Sequence, residues 1–168
     1  MKINETKSEF IPVPLYNKIL RVLPIVCVDL LVINEKNEIL LLKRKNDPAK
    51  GEWWFPGGRV YHGEQRMDAA KRKLFEECGL RSKIFIEMGT YDCLIEIAKC
   101  RLSHAVTTLY KTVVKKRIIH LDEQSKEYEW TPIYTWKNKI NKSWPEKKML
   151  EQIHNVIRQT KKGKQKYL

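Results

Sequence analysis

Residues 57–80, GGRVYHGEQRMDAAKRKLFEECGL, set two glycines ahead of a stretch in which Met67, Ala70, Leu74 and Cys78 recur at intervals of three and four. That spacing predicts a helix from Arg66 to Cys78 with one face turned to a core. The opposite side carries Arg72, Lys73, Glu76 and Glu77. Positions three and four apart are neighbours on a helix, so Lys73 is expected beside both Glu76 and Glu77, and Arg72 beside Glu76. Glu64 precedes the helix, where it meets the positive end of the helix dipole and can pair with Arg72. Gly57 and Gly58 let the backbone turn tightly and approach a ligand closely. An ordinary solvated helix accounts for acid and base pairs taken alone. It gives no reason for the joint spacing of Gly58, Glu64, Arg72, Glu76, Glu77 and Gly79 behind WWFPGG.

Such a layout suits a metal-bound diphosphate. A nucleoside diphosphate ester brings two or more negative charges, and hard Mg2+ takes one or two carboxylates plus substrate phosphates as its oxygen ligands. Set against the pattern G-x5-E-x7-R-E-U-x-E-E-x-G-U, with U aliphatic, residues Gly58, Glu64, Arg72, Leu74, Glu76, Glu77, Gly79 and Leu80 fall in register. Through this box the chain resembles the Nudix hydrolases. The resemblance implies an α/β fold, a mixed β-sheet sandwiched between α-helices, with the box helix next to the substrate cleft. Lys73 departs from the pattern, standing where the glutamate after the arginine is expected. It turns three box carboxylates into two and an ammonium, which disfavours a second cation. The ammonium could neutralise a phosphate oxygen or hold Glu77, leaving one Mg2+ on Glu76 and Glu77.

Outside the box, KRKNDPAKGEWWFPGGRV (residues 43–60), the segment Leu23 to Leu30 and LDEQSKEYEW (residues 121–130) look like the matching stretches of the GDP-mannose mannosyl hydrolase branch. That resemblance covers roughly residues 20–135. It implies water attacking a sugar carbon while a single Mg2+ offsets charge on the departing nucleoside diphosphate. By position it implies Arg44 and Arg59 on the diphosphate, Mg2+ on Glu77 and the Gly57 carbonyl, and Gln124 completing the coordination. Mn2+ is an alternative metal. Arginine suits the phosphate task because its fork of donors matches phosphate oxygens and its charge is permanent. Glu76 could be a second ligand or a base. Arg72, Glu76, Glu77 and Glu123 join Arg44 as the expected catalytic set, with Arg44, Arg59 and Lys73 on the substrate. Ser125 stands where that branch has a histidine acting as base, and a serine hydroxyl cannot accept a proton near neutral pH. Glu123, Glu127 or His104 could substitute, although His104 and His120 read first as ordinary strand or loop residues. Trp54 and Tyr91 could stack on a base or pack the core, with the core favoured for Trp54.

The remaining sequence bounds these readings. A chain of 168 residues matches one domain with a substantial core. No apolar run reaches about eighteen residues and the start, MKINETKSEF, lacks the apolar centre of a secretory signal, so no membrane span and a cytoplasmic location are expected. Cys27, Cys78, Cys93 and Cys100 show no C-x-x-C spacing and are expected to be buried reduced thiols. The 33 lysines and arginines exceed the 20 acids, a net charge of +13 that suits a phosphate-bearing small molecule, RNA or an acidic surface. Much of that excess lies in KTVVKKR and the final KKGKQKYL, read as solvated surface and tail, and no recognisable nucleic-acid module accompanies it. A small-molecule nucleotide is therefore the expected partner, with RNA second and a homodimer as the assembly. The alternative functions are a nucleotide diphosphatase or pyrophosphohydrolase acting at phosphorus, and a Nudix domain weakened in catalysis that binds nucleotide or RNA.

Residues 1–20 read as an extension, 21–160 as the domain and 161–168 as a basic tail. A turn or helix is expected around Leu15 to Leu20, packed on the sheet or on a partner. Arg21 to Ile33 and Glu38 to Lys43 read as extended segments joined by the hairpin signal NEKN. Asn46 to Gly51 is a loop, Lys83 to Cys100, His104 to Val114 and Lys126 to Trp130 are extended, and Pro145 to Thr160 is helical.

Overall fold

The computed structural model describes residues 11–46, 50–98, 101–115, 118–140, 150–151 and 153–155. Helix α1 (Val13–Val22) carries a proline in its first turn, where the missing N–H is not needed. It closes at Leu23, ahead of Pro24. The residue before a proline is pushed to extended geometry. Arg21 and Val22 therefore finish a helix rather than begin a strand, which corrects the expected start of the first extended segment. Strand β1 (Ile25–Asn34) then turns into β2 (Glu38–Arg44). Asn34 Oδ1 accepts the Lys36 and Glu38 N–H groups at 2.9 and 3.0 Å, and Asn37 adopts φ 57°. Asparagine tolerates that conformation, so NEKN makes the hairpin as its composition implies.

Two short strands follow, β3 (Trp53–Trp54) and β4 (Gly57–Arg59), and then helix α2 (Arg66–Cys78). The helix bounds agree with the apolar periodicity. It ends at Gly79, φ 67°, whose N–H reaches Phe75 O at 2.8 Å while Leu80 N–H reaches Leu74 O. This left-handed closure suits glycine and satisfies the last carbonyls. Strands β5 (Phe85–Ala98), β6 (Arg101–Val114) and β7 (Ser125–Pro132) and a 3-10 turn (Trp136–Asn138) complete the described order.

The sheet runs β3-β2-β1-β6-β5, with β4 paired to β1 and β7 paired to β2. It is mixed, since β1 is parallel to β6, from Ile25 opposite Ala105 to Asn34 opposite Val114, and antiparallel to β2 and β4. Its centre is covered on both faces, which is why β1 and β2 read as near-continuous aliphatic runs. Val28, Leu30, Val32, Leu40 and Leu42 pack with Ala69, Ala70, Leu74 and Cys78 of α2. On the other face Leu31, Ile33, Ile39 and Leu41 join Trp54, Phe55, Leu109, Trp136 and Ile153. Each such side chain contributes about 1.5–3 kcal/mol by leaving water. Trp54 and Tyr91 both belong to this second cluster.

Residues 150, 151 and 153–155 are helical and Ile153 is fully buried. The rest of the expected Pro145–Thr160 helix, with Met149 and Val156, lies outside the described residues, as do Cys100, residues 1–10 and the tail 161–168. Among the described residues no helix is long and apolar enough to cross a membrane. Cys78 and Cys93 are buried and Cys27 is half-buried.

Candidate active site

Where β1, β4 and the start of β7 meet α2, a cavity of about 770 Å3 opens. Strand β4 brings the Gly57–Gly58 turn against β1, with Gly57 opposite Asp29 and Gly58 opposite Val28. A Cβ at Gly57 would lie 2.4 Å from both Asp29 Oδ1 and Val28 O, so only glycine lets β4 seat here. Arg44, Gly57, Gly58, Arg59, Arg72, Lys73, Glu77, Gln124 and Ser125 all line this cavity. Most of the residues expected to bind diphosphate or metal are thus brought together.

The box helix supplies two charged assemblies. In the first, Arg72 grips Glu64 in a two-pronged pair, Nε to Oε1 at 2.7 Å and a terminal nitrogen to Oε2 at 2.8 Å. The same guanidinium donates to Glu76 Oε2 and to the Arg59 carbonyl, each at 3.0 Å, and lies 3.7 Å from the Tyr61 ring centre. Burial works against Arg72's charge, but Glu64 and Glu76 outweigh it and raise its pKa. Glu64 is partly buried, yet Arg72 and the Tyr61 N–H hold its carboxyl below the usual range. This assembly ties the loop before α2 to its second turn. Arg72 is committed to fixing that loop's shape.

In the second assembly, Lys73 and Glu77 are both 6% exposed. Lys73 Nζ lies 2.6 Å from Glu77 Oε1 and 3.5 Å from Glu76 Oε2, and Gly57 N–H donates to Glu77 Oε2 at 2.9 Å. The charged side of α2 is therefore only partly a solvated rim. Burial opposes the Lys73 ammonium, but Glu77, Glu76 and Asp122 overcome it and hold the lysine above its usual range. Burial pushes the Glu77 carboxyl up while Lys73 and the Gly57 N–H pull it back.

Asp29 lies beneath the glycine turn, 8% exposed, and accepts hydrogen bonds from Thr107 at 2.9 Å and Trp54 Nε1 at 3.3 Å. Burial raises its pKa to about 6 against those bonds and the charge of Arg44. The neighbouring Cys27 thiol is pushed up to about 12, by burial and then by Asp29. Sequence reasoning missed Asp29, although an acid inside the run IVCVDLLVI was a signal: a charge in a buried strand needs a reason. It also missed Tyr16, Asn17 and Leu20 of α1, which wall the cavity, with Arg59 lying 5.5 Å from the Tyr16 ring centre.

The structure does not bring together every expected base. Glu123 is exposed in the turn before β7 and outside the cavity lining, which this segment reaches through Gln124 and Ser125. Glu127 pairs with Lys43 at 3.2 Å on the surface. His104 meets Asp92 at 3.0 Å, and His120 packs over Gly79. None of these three side chains lines the cavity.

The donors at the glycine turn fit one hard cation. Glu77, the Gly57 carbonyl and Glu76, which stands on α2 outside the cavity lining, offer only oxygen, the ligand type Mg2+ takes alongside substrate phosphates. They do not fit a cage built by protein alone. Among the described residues no group of three or more His, Cys, Asp or Glu is placed to hold a metal.

The chain is similar to known proteins. Residues 23–153 match the family model described as the NUDIX domain. The low-salt glycan biosynthesis protein Agl8 of Haloferax volcanii is 33% identical over 104 residues, covering 60% of this chain and 66% of that protein. The ADP-ribose pyrophosphatase of Methanocaldococcus jannaschii is 46% identical over 69 residues, covering 41% of this chain and 40% of that protein. The chain thus spans less than two thirds of the length of these relatives. The NUDIX domain of Shewanella oneidensis NrtR, solved with ADP ribose, superposes with a TM-score of 0.65 at 18% identity, over 80% of this chain and 89% of that one. With the family model matched across the sheet, the glycine turn and the box helix, the chain belongs to the Nudix hydrolase family.

Proposed function

We propose that the protein hydrolyses a nucleoside diphosphate derivative, with a nucleotide sugar as its substrate class. One observation carries this reading: Arg44, Arg59, Lys73 and Glu77 line a single cavity at the Gly57–Gly58 turn. Its volume of about 770 Å3 suits a ligand of nucleotide size. Arg44 and Arg59 bind and orient the diphosphate, and Gln124 and Ser125 face the reacting end from β7 and the residue before it. Nudix hydrolases generally use divalent metals such as Mg2+. In this chain Glu77, Glu76 and the Gly57 carbonyl hold one such ion, with Mn2+ as its substitute and Gln124 as a further ligand. When bound, it offsets negative charge on the diphosphate leaving group.

Nucleotide sugars are favoured over other diphosphate derivatives because Lys73 removes a box carboxylate, as expected for a site that works with one metal. The Haloferax relative named for glycan biosynthesis supports the same choice, while the Methanocaldococcus pyrophosphatase keeps attack at phosphorus as the second reading. The homodimer and the cytoplasmic location belong to this proposal too. Val13, Leu15 and Val22 of α1 are exposed apolar residues that a second copy would cover.

Turnover of a panel of nucleotide sugars and nucleoside di- and triphosphates in oxygen-18 water, with Mg2+, tests the proposal. Label in the released sugar is expected. Label in phosphate overturns attack at carbon, and nucleotide binding without turnover overturns the hydrolase reading. An RNA-binding role would instead show affinity for RNA that falls steeply with added salt.

A further inference from the structure

Lys73 is held too closely to be a surface residue that replaced a glutamate without consequence. Its ammonium is in contact with both carboxylates that could take a cation, 2.6 Å from Glu77 and 3.5 Å from Glu76. The stem lies over the glycine turn, such that a Cβ on Gly58 would come within 2.9 Å of Lys73 Cε. Gly58 has φ 153°, a conformation L side chains rarely adopt, so the turn and the lysine fit each other. Arg72 cannot take over this role, because Glu64 holds it through two bonds of 2.7 and 2.8 Å. Glu77 is likewise fully engaged, one oxygen by Lys73 and the other by the Gly57 N–H.

We propose that the Lys73 ammonium is the resident cation of the phosphate site, occupying the Glu76–Glu77 pair in the free protein so that a divalent ion is captured only together with a nucleoside diphosphate. The inference deepens the hydrolase reading and rests on it. Two carboxylates alone present two negative charges, a match for one divalent ion. With the ammonium between them the net charge falls to one negative, and an incoming divalent ion meets a like charge at close range. A diphosphate supplies the missing negative charge. Its oxygens give the ammonium a second partner, which releases Glu77 to the ion.

Equilibrium dialysis with Mn2+ as the probe, on the full chain with and without ADP, reads this directly. Wild type should bind little Mn2+ alone and about one ion per chain once ADP is present, as expected for a hard cation shared with phosphates. Lys73→Glu should bind Mn2+ without nucleotide roughly tenfold or more tightly than wild type, since it exchanges a like charge for an attractive one. Lys73→Met keeps the stem over Gly58 and removes only the charge. It should fall between the two, and it provides the comparison if Lys73→Glu does not fold. Wild type binding Mn2+ alone as tightly as Lys73→Met overturns the proposal. Turnover in the oxygen-18 panel is a separate measurement. Nucleotide-independent Mn2+ binding in a protein that does hydrolyse nucleotides would sink the ammonium role alone.

Discussion

Replacing Asp29 by asparagine tests the electrostatics under the site. In the folded chain burial raises the carboxyl from the ordinary 3.8 to about 6, so it keeps its proton there while the unfolded chain releases it near 3.8. Below the lower value both states are protonated and the group contributes nothing to pH dependence. Between the two, the folded state binds more protons, and stability falls as pH rises. Above about 6 the cost is constant. At 1.36 kcal/mol per tenfold in proton affinity it amounts to about 3 kcal/mol, a net figure that already includes the opposing pull of the two hydrogen bonds. The amide introduced by Asp29→Asn cannot ionise, still accepts from Trp54 through its oxygen, and can donate to the Thr107 hydroxyl. The expected result is a variant equal to wild type near pH 4 and about 1–3 kcal/mol more stable near pH 7.5, a gain of roughly 2–4 °C in Tm per kcal/mol for a chain of this size. Urea unfolding of both proteins at the two pH values measures it, and other carboxylates cancel in the difference. An effect of Asp29→Asn that is the same at both pH values would refute the assignment of the cost to ionisation of Asp29.

Two further substitutions probe the turn and the missing base. Gly57→Ala should lose about 1–3 kcal/mol of stability and most turnover, because the added Cβ would lie 2.4 Å from the Val28 carbonyl and β4 would have to leave β1; a thermal melt unchanged from wild type would show that the turn is not clamped. Ser125→His places an imidazole on the cavity wall opposite Arg44. It should raise kcat roughly tenfold with a pH limb near 6.5 if water is activated from β7, and an unchanged rate would locate the base elsewhere.

The parts of the fold that sequence exposed are those with local causes. Helix α2 was legible to the residue because its apolar period, its preceding acid and its closing glycine all lie within one short stretch. The hairpin at Asn34–Asn37 was legible because the Asn34 side chain bonds the turn and Asn37 tolerates its left-handed backbone. The parallel pairing of β1 with β6 left no local mark. Ile25 and Ala105 meet across a segment containing α2, and nothing in either strand names its partner. Strands β3 and β4 are two and three residues long, too short for alternation to show. Helix α1 hid its end because Arg21 and Val22 continue into an aliphatic run, and only Pro24 separates the two states.

The site divides along the same line. Neighbour rules on a helix placed Arg72 beside Glu76 and Lys73 beside Glu76 and Glu77, and the pairs form. What those rules cannot tell is which charged flank of a helix faces water. Lys73 and Glu77 are buried because β4, earlier in the chain, folds over them, and the Gly57 N–H completes the carboxylate's bonding. Phe75 shows the converse, an apolar residue on the same helix left 47% exposed with Arg81 stacked on it. Glu123 sits in the turn before β7, whereas Ser125 opens the strand. The irregularity between Lys43 and Arg44 sets Ser125, not Lys126, opposite Arg44. A one-residue slip there would exchange the wall's hydroxyl for a different side chain, so the chemistry available at the reacting end is decided by a strand pairing and not by composition.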